Sequence, residues 1–110
     1  MSSIGQEEED LVRKAMSEWK QELKQGIEEQ RKTIAKSELR LEILRAKQNV
    51  LESASRRFQD PEQRRLFYEA NAGELENEIE TEERFLEGFK AKYRVETSHA
   101  RLIIEYIEAQ

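Results

Sequence analysis

The stretch "RRFQDPEQRR", residues 56–65, holds the only proline of the 110-residue chain and lies near its midpoint. Inside a helix a proline removes a backbone hydrogen bond and clashes with the preceding turn, at a cost of ~3 kcal/mol. At the first helical position neither penalty applies. "DPEQ" fits that exemption, with Asp60 as N-cap, Pro61 at N1 and Gln63 placed to reach back as in a capping box. Asp60 also precedes a proline, which pushes it away from helical geometry. The stretch therefore predicts one helix ending near Arg57, a turn over 58–60 and a second helix from Pro61.

Outward from this turn, the second half of the chain carries the stronger pattern. Tyr68, Ala72, Leu75, Ile79, Glu82, Leu86, Phe89, Tyr93, Glu96, Ala100, Ile103 and Ile107 are spaced in alternating steps of four and three, and only two of them are charged. That is the signature of a helix with a coiled-coil seam. In the first half, Val12, Met16, Trp19, Leu23 and Ile27 step 4, 3, 4, 4. This reads as a local shift from a seven-residue to an eleven-residue phase. Beyond it, Ile27, Ile34 and Leu41 share one heptad position and Leu44, Leu51 and Phe58 the other, diluted by Gln30, Ser37, Gln48 and Ser55. A second apolar line, Leu39, Ile43, Ala46 and Val50, occupies another side of this helix, and two lines on one helix suggest more than one neighbour.

The two arms are of similar length and their connection is short, which favours antiparallel neighbours. The fold expected is all-α, an elongated antiparallel two-helix coiled-coil hairpin. Its helices run about 6–57 and 61–108 in a single domain, 11–110, behind an acidic segment, 1–10, whose order is left open. Pairing of the same helices between chains, as in a dimeric four-helix bundle, is the competing topology.

Charge agrees with the hairpin. Residues 11–58 carry +5, residues 59–110 carry −6 and the leading "EEED" carries −4, which gives the net −5 of the chain. With the turn near residue 60, facing residues have numbers summing to about 119–120. That register sets the glutamates of "GELENEIETEERFLE" (73–87) beside Arg31, Lys32, Lys36, Arg40, Arg45 and Lys47. It sets Ala100 near Trp19, and Glu82 near Lys36 and Ser37. Glu96 is expected to swing out to Lys20 or Lys24.

Charged residues make up 39% of the chain against 36% apolar, a balance that suits long helices with wide solvated faces. There is no cysteine, so disulfides, thiolate metal sites and cysteine nucleophiles are excluded. The longest apolar patch, "LII" in "RLIIEYIEA", is too short for a signal peptide or a membrane span. The expected location is the cytoplasm, with no membrane contact. Net negative charge disfavours general binding to nucleic acid.

Three places could carry function. The line Leu39, Ile43 and Val50, with Leu102, Ile104 and Tyr106 near the C-terminus, offers apolar surface beyond what one partner helix covers, and is the expected protein-docking surface. Residues 102–107 could instead be covered by a folded-back N-terminus around Ile4 and Leu11. At the turn, Arg56, Arg57, Phe58, Arg64, Arg65 and Phe67 form a patch that could grip nucleic acid or an acidic partner. Local pairing of Glu52 with Arg56 and of Arg65 with Glu69 is the plainer account of those arginines. Glu96-x-x-His99 matches half of the carboxylate and histidine set of di-iron bundles, but one histidine per chain makes a solvated His99 the simpler reading. No metal, cofactor or enzymatic chemistry is expected. The function expected is that of an interaction module: an adaptor, scaffold or assembly or secretion chaperone whose partner is another helical protein or a second copy of itself.

Overall fold

The computed structural model describes residues 3–110, with side chains from Gly5 onward. Two helices, α1 (Ser3–Ser55) and α2 (Pro61–Glu108), form an all-α antiparallel helical hairpin, and no strand occurs among the described residues. Helix α1 begins ahead of residue 6, so the acidic residues 7–10 are helical. The first two residues of the expected N-terminal segment lie outside those described. Two compact units divide the chain. One comprises the residues up to Lys32 together with Ala91–Gln110, and the other Thr33–Lys90.

The unit Thr33–Lys90 contains the turn. Helix α1 closes through 3.2 Å bonds from Arg57 N–H to the Ala54 carbonyl and from Phe58 N–H to that of Ser55, a tightening of its last turn. Five residues, 56–60, separate the helices, against the three expected, because this tightening starts at Ser55, whose hydroxyl bonds back to the Glu52 carbonyl at 2.7 Å. The Asp60 carboxylate accepts the Glu62 N–H at 3.0 Å, and the Asp60 carbonyl accepts the Arg64 N–H at 3.1 Å. Asp60 is thus the N-cap and Pro61 sits at N1, where its missing N–H costs nothing. No described residue has positive φ, so the chain reverses without a left-handed glycine. The Arg64 guanidinium bonds the Phe58 carbonyl, and the Phe58 ring lies 5.2 Å from that of Phe67.

The core of this unit is the cluster Leu41, Leu75 and Ile79, against which Leu44, Leu51 and Leu86 pack. Full burial of such a side chain stabilises by about 1.5–3 kcal/mol. Ala72 is also buried, and Ser37 is wholly so, its hydroxyl donating to Glu82 at 2.7 Å. Arg40 meets the same Glu82 carboxylate at 3.2 Å. The expected neighbour Ser37 is therefore found at Glu82, while Arg40 replaces Lys36 as its cation. Farther along, Arg45 pairs with Glu83 at 3.1 Å and Lys90 with Glu38 at 3.6 Å.

In the other unit Ala100 and Thr97 are buried. Arg31 donates to the Tyr93 hydroxyl at 2.8 Å, Gln30 donates to Glu96, and Lys20 reaches Glu108 at 3.5 Å. Arg31 and Lys32 pair along their own helix with Glu28 and Glu29, not with the 73–87 acids the sequence suggested.

The seam differs from the expected one in two places. On α1 the covered positions run Met16, Lys20, Leu23, Ile27, Gln30, Ile34, Ser37, Leu41, Leu44, Gln48 and Leu51, an unbroken alternation of four and three. Trp19 is 47% exposed and Val12 is exposed as well, so the eleven-residue phase does not occur on α1. The Lys20 stem takes the seam position while its ammonium reaches out to Glu108, a burial mode open to a long amphipathic side chain. On α2, Thr97 is buried where the pattern placed Glu96. A threonine methyl is cheaper to bury than a carboxylate, and the spacing from Leu86 to Thr97 puts the eleven-residue step here instead. Glu96 turns to Gln30 and Lys92, neither of which is the expected Lys20 or Lys24.

Candidate protein-docking surfaces

Beside the core of the Thr33–Lys90 unit runs an open groove. Its α1 wall is Arg40, Ile43, Ala46, Lys47 and Val50; its α2 wall is Asn71, Glu74, Asn77, Glu78, Thr81 and Glu82; Leu44, Leu51 and Leu75 form its floor. Both walls follow from helical spacing, since residues four and three apart share a face. Leu39, Ile43 and Val50 are 56%, 49% and 67% exposed. Ile43, Ala46 and Val50 of the expected apolar line therefore form one lip of a groove whose other lip is acidic and amide-bearing, while Leu39 lies on the same line one turn beyond it.

The charges of this groove are incompletely matched within the chain. Lys47, Glu74 and Glu78 form no ion pair or hydrogen bond with any described residue, although Lys47 and Glu78 line the same groove. The acidic stretch was expected to lie beside the basic side of α1, and within the unit Arg40 pairs with Glu82 and Arg45 with Glu83. The contribution of Glu74 and Glu78 was missed in the sequence because the acidic stretch 73–87 was read as lying beside the basic residues of α1, and Thr81 was not singled out. The signal was present, as Asn71, Glu74, Glu78 and Thr81 form a stripe offset from the Ala72, Leu75 and Ile79 seam by one residue.

In the other unit Leu102 and Tyr106 are exposed, while Ile103, Ile104 and Ile107 are half-buried. Ile104, expected to face a partner, is thus partly covered within its unit. Val95 shares the face of Leu102 and Tyr106 by spacing, and Leu11, Val12 and Trp19 are exposed on α1. Because α1 is continuous from Ser3 and Leu11 is exposed, Leu11 does not cover residues 102–107. The expected contribution of Ile4 lies outside the described side chains.

At the turn, the arginines divide by role. Arg64 is spent on the Phe58 carbonyl, and Arg65 lies 3.9 Å from Glu62 and 3.4 Å from Glu69. Arg56 and Arg57 are exposed with no side-chain partner among the described residues. The expected Arg65–Glu69 pair is present, whereas Glu52 meets Arg56 only through its backbone carbonyl. Phe67 is half-buried against Phe58, while Leu66 is exposed.

Glu96 is engaged by Gln30 and Lys92, and His99 is exposed. Among the described residues no three His, Asp or Glu side chains are grouped to hold a metal ion. No described helix is long and apolar enough to cross a membrane. Among the described residues, Arg31 and Tyr93 are the pair whose pKa values are shifted. The hydrogen bond and charge of Arg31 lower the Tyr93 pKa below the ordinary 10.0, and the same bond raises that of Arg31.

Comparison with protein-family models, with curated proteins and with solved structures finds no match for this chain.

Proposed function

We propose that this chain is a non-enzymatic protein–protein interaction module, an adaptor, scaffold or assembly or secretion chaperone in the cytoplasm, that works by helix–helix docking. One observation carries the reading: the exposed line Leu39, Ile43 and Val50, on a helix whose seam is already committed to α2. Such a line offers a docked helix anchors at helical spacing. The arginine turn is the weaker candidate, since Arg64 and Arg65 have partners within the chain.

The test is a photo-crosslinking amino acid placed at Val50 or Tyr106 of the protein in its own cell, with Glu76 and Arg94 as control sites. Discrete adducts at the first two positions, absent from the controls, are expected. Adducts from none of the four, or equally from all, would sink the reading. The mass of the adduct separates a second copy from a different partner.

A further inference from the structure

We infer that the groove of the Thr33–Lys90 unit is occupied by the same groove of a second copy of this chain, in a two-fold pairing that lays α1 antiparallel across α1. The inference rests on the docking reading above and specifies its partner. It is carried by charge complementarity around an apolar line.

The line Leu39, Ile43, Ala46, Val50 is self-complementary when reversed. Turned about its centre, between Leu44 and Arg45, it sets Leu39 against Val50 of the second copy, apolar against apolar, and Ile43 against Ala46, large against small. Leu39, Ile43 and Val50 are all about half exposed or more in the single chain. The pairing covers them without disturbing the seam.

The same reversal places the unmatched charges. Within the unit, facing residues of α1 and α2 have numbers that sum to 119 at Ser37–Glu82. Lys47 of one copy falls opposite residues 42–43 of the other, and at that level α2 of the other copy carries residues 76–77, with Glu78, the next residue along, lining the groove. Glu74, one turn away on the same face, falls between Arg40 and Lys47. The two-fold axis repeats each contact. Lys47, Glu74 and Glu78, which have no partner within the chain, thus acquire one between chains, and acid meets base at four points around an apolar centre. A different helical partner would need an apolar line flanked by cations on one side. The chain itself presents that combination on α1, through Arg40 and Lys47 beside Ile43 and Val50.

Sedimentation velocity of the full chain over a wide concentration range tests this, with three variants. The native chain is expected to be dimeric. Ile43→Glu with Val50→Glu should give a monomer that keeps its helical circular dichroism, because neither residue belongs to the core. Lys47→Glu alone should weaken the dimer about tenfold or more, since each contact occurs twice. Adding Glu78→Lys should restore it, because the swap recreates the pair between copies. A native chain that stays monomeric at every concentration overturns the inference while leaving docking to another protein open, to be read from the crosslink masses. A dimer indifferent to Ile43→Glu and Val50→Glu, or a charge swap that fails to restore association, overturns it equally.

Discussion

Ser37 shows how one small residue fixes the local geometry of the hairpin. It is wholly buried, its hydroxyl donates to Glu82, and Arg40 neutralises the same carboxylate from the rim. A larger side chain there has no space to enter without separating the helices. Ser37→Leu is expected to destabilise by about 1–3 kcal/mol through overpacking, and Ser37→Ala by about 0.5–1.5 kcal/mol through the lost hydrogen bond. Urea unfolding followed by circular dichroism distinguishes the two, and a Leu variant as stable as the native chain would refute the tight contact. Tyr93 gives a second test at this scale. Its pKa is lowered in the fold, so ionisation stabilises the folded state, and that contribution is fully present above the ordinary value of 10.0. That contribution vanishes as pH falls through the lowered value, and it is absent at neutral pH. In a phenolate absorbance titration, Arg31→Gln should move the Tyr93 transition upward. An unchanged profile would exclude the Arg31 contact as its cause.

At the scale of the helix, Asp60 and Pro61 made the turn legible, because a proline so placed has a single inexpensive position and the residue before it is a good cap. The seam of α2 was legible from Tyr68 to Tyr93 for a related reason, since apolar residues recur there at every seam position but one. What the pattern could not give was the choice between adjacent residues. Trp19 is more apolar than Lys20, yet the seam takes the lysine stem because its head can still reach Glu108. The groove was half legible: its apolar lip was visible as a line on α1, while its acidic lip required knowing which glutamates remain unpaired. Trp19 is the only tryptophan, so its fluorescence reports this choice directly. Emission at long wavelength, readily quenched by acrylamide, is expected of a side chain about half exposed. A blue-shifted, protected emission would restore the eleven-residue phase on α1. Asp60→Ala should cost about 1 kcal/mol through the lost cap, measured as a lower urea midpoint.

Taken as a whole, the molecule buries few side chains for its length. Among the described residues the buried apolar side chains are Leu41, Ala72, Leu75, Ile79 and Ala100, and the covered positions of the two helices include Gln30, Ser37, Gln48 and Thr97. Against this, ordering each residue costs of order 1–2 kcal/mol in backbone entropy alone. A single seam so diluted with polar groups leaves a narrow margin of stability, while a dozen large apolar side chains remain exposed. Covering Ile43 and Val50 between copies would widen that margin and make it depend on protein concentration. For a chain that is dimeric when folded and monomeric when unfolded, each tenfold rise in protein concentration adds about 1.4 kcal/mol per dimer. The thermal midpoint should therefore climb by a few degrees per tenfold rise in concentration, and the climb should disappear in the Ile43→Glu, Val50→Glu variant. A native midpoint that does not move over roughly a hundredfold range would mean that the hairpin is stable alone, with its apolar line left for a partner of another kind.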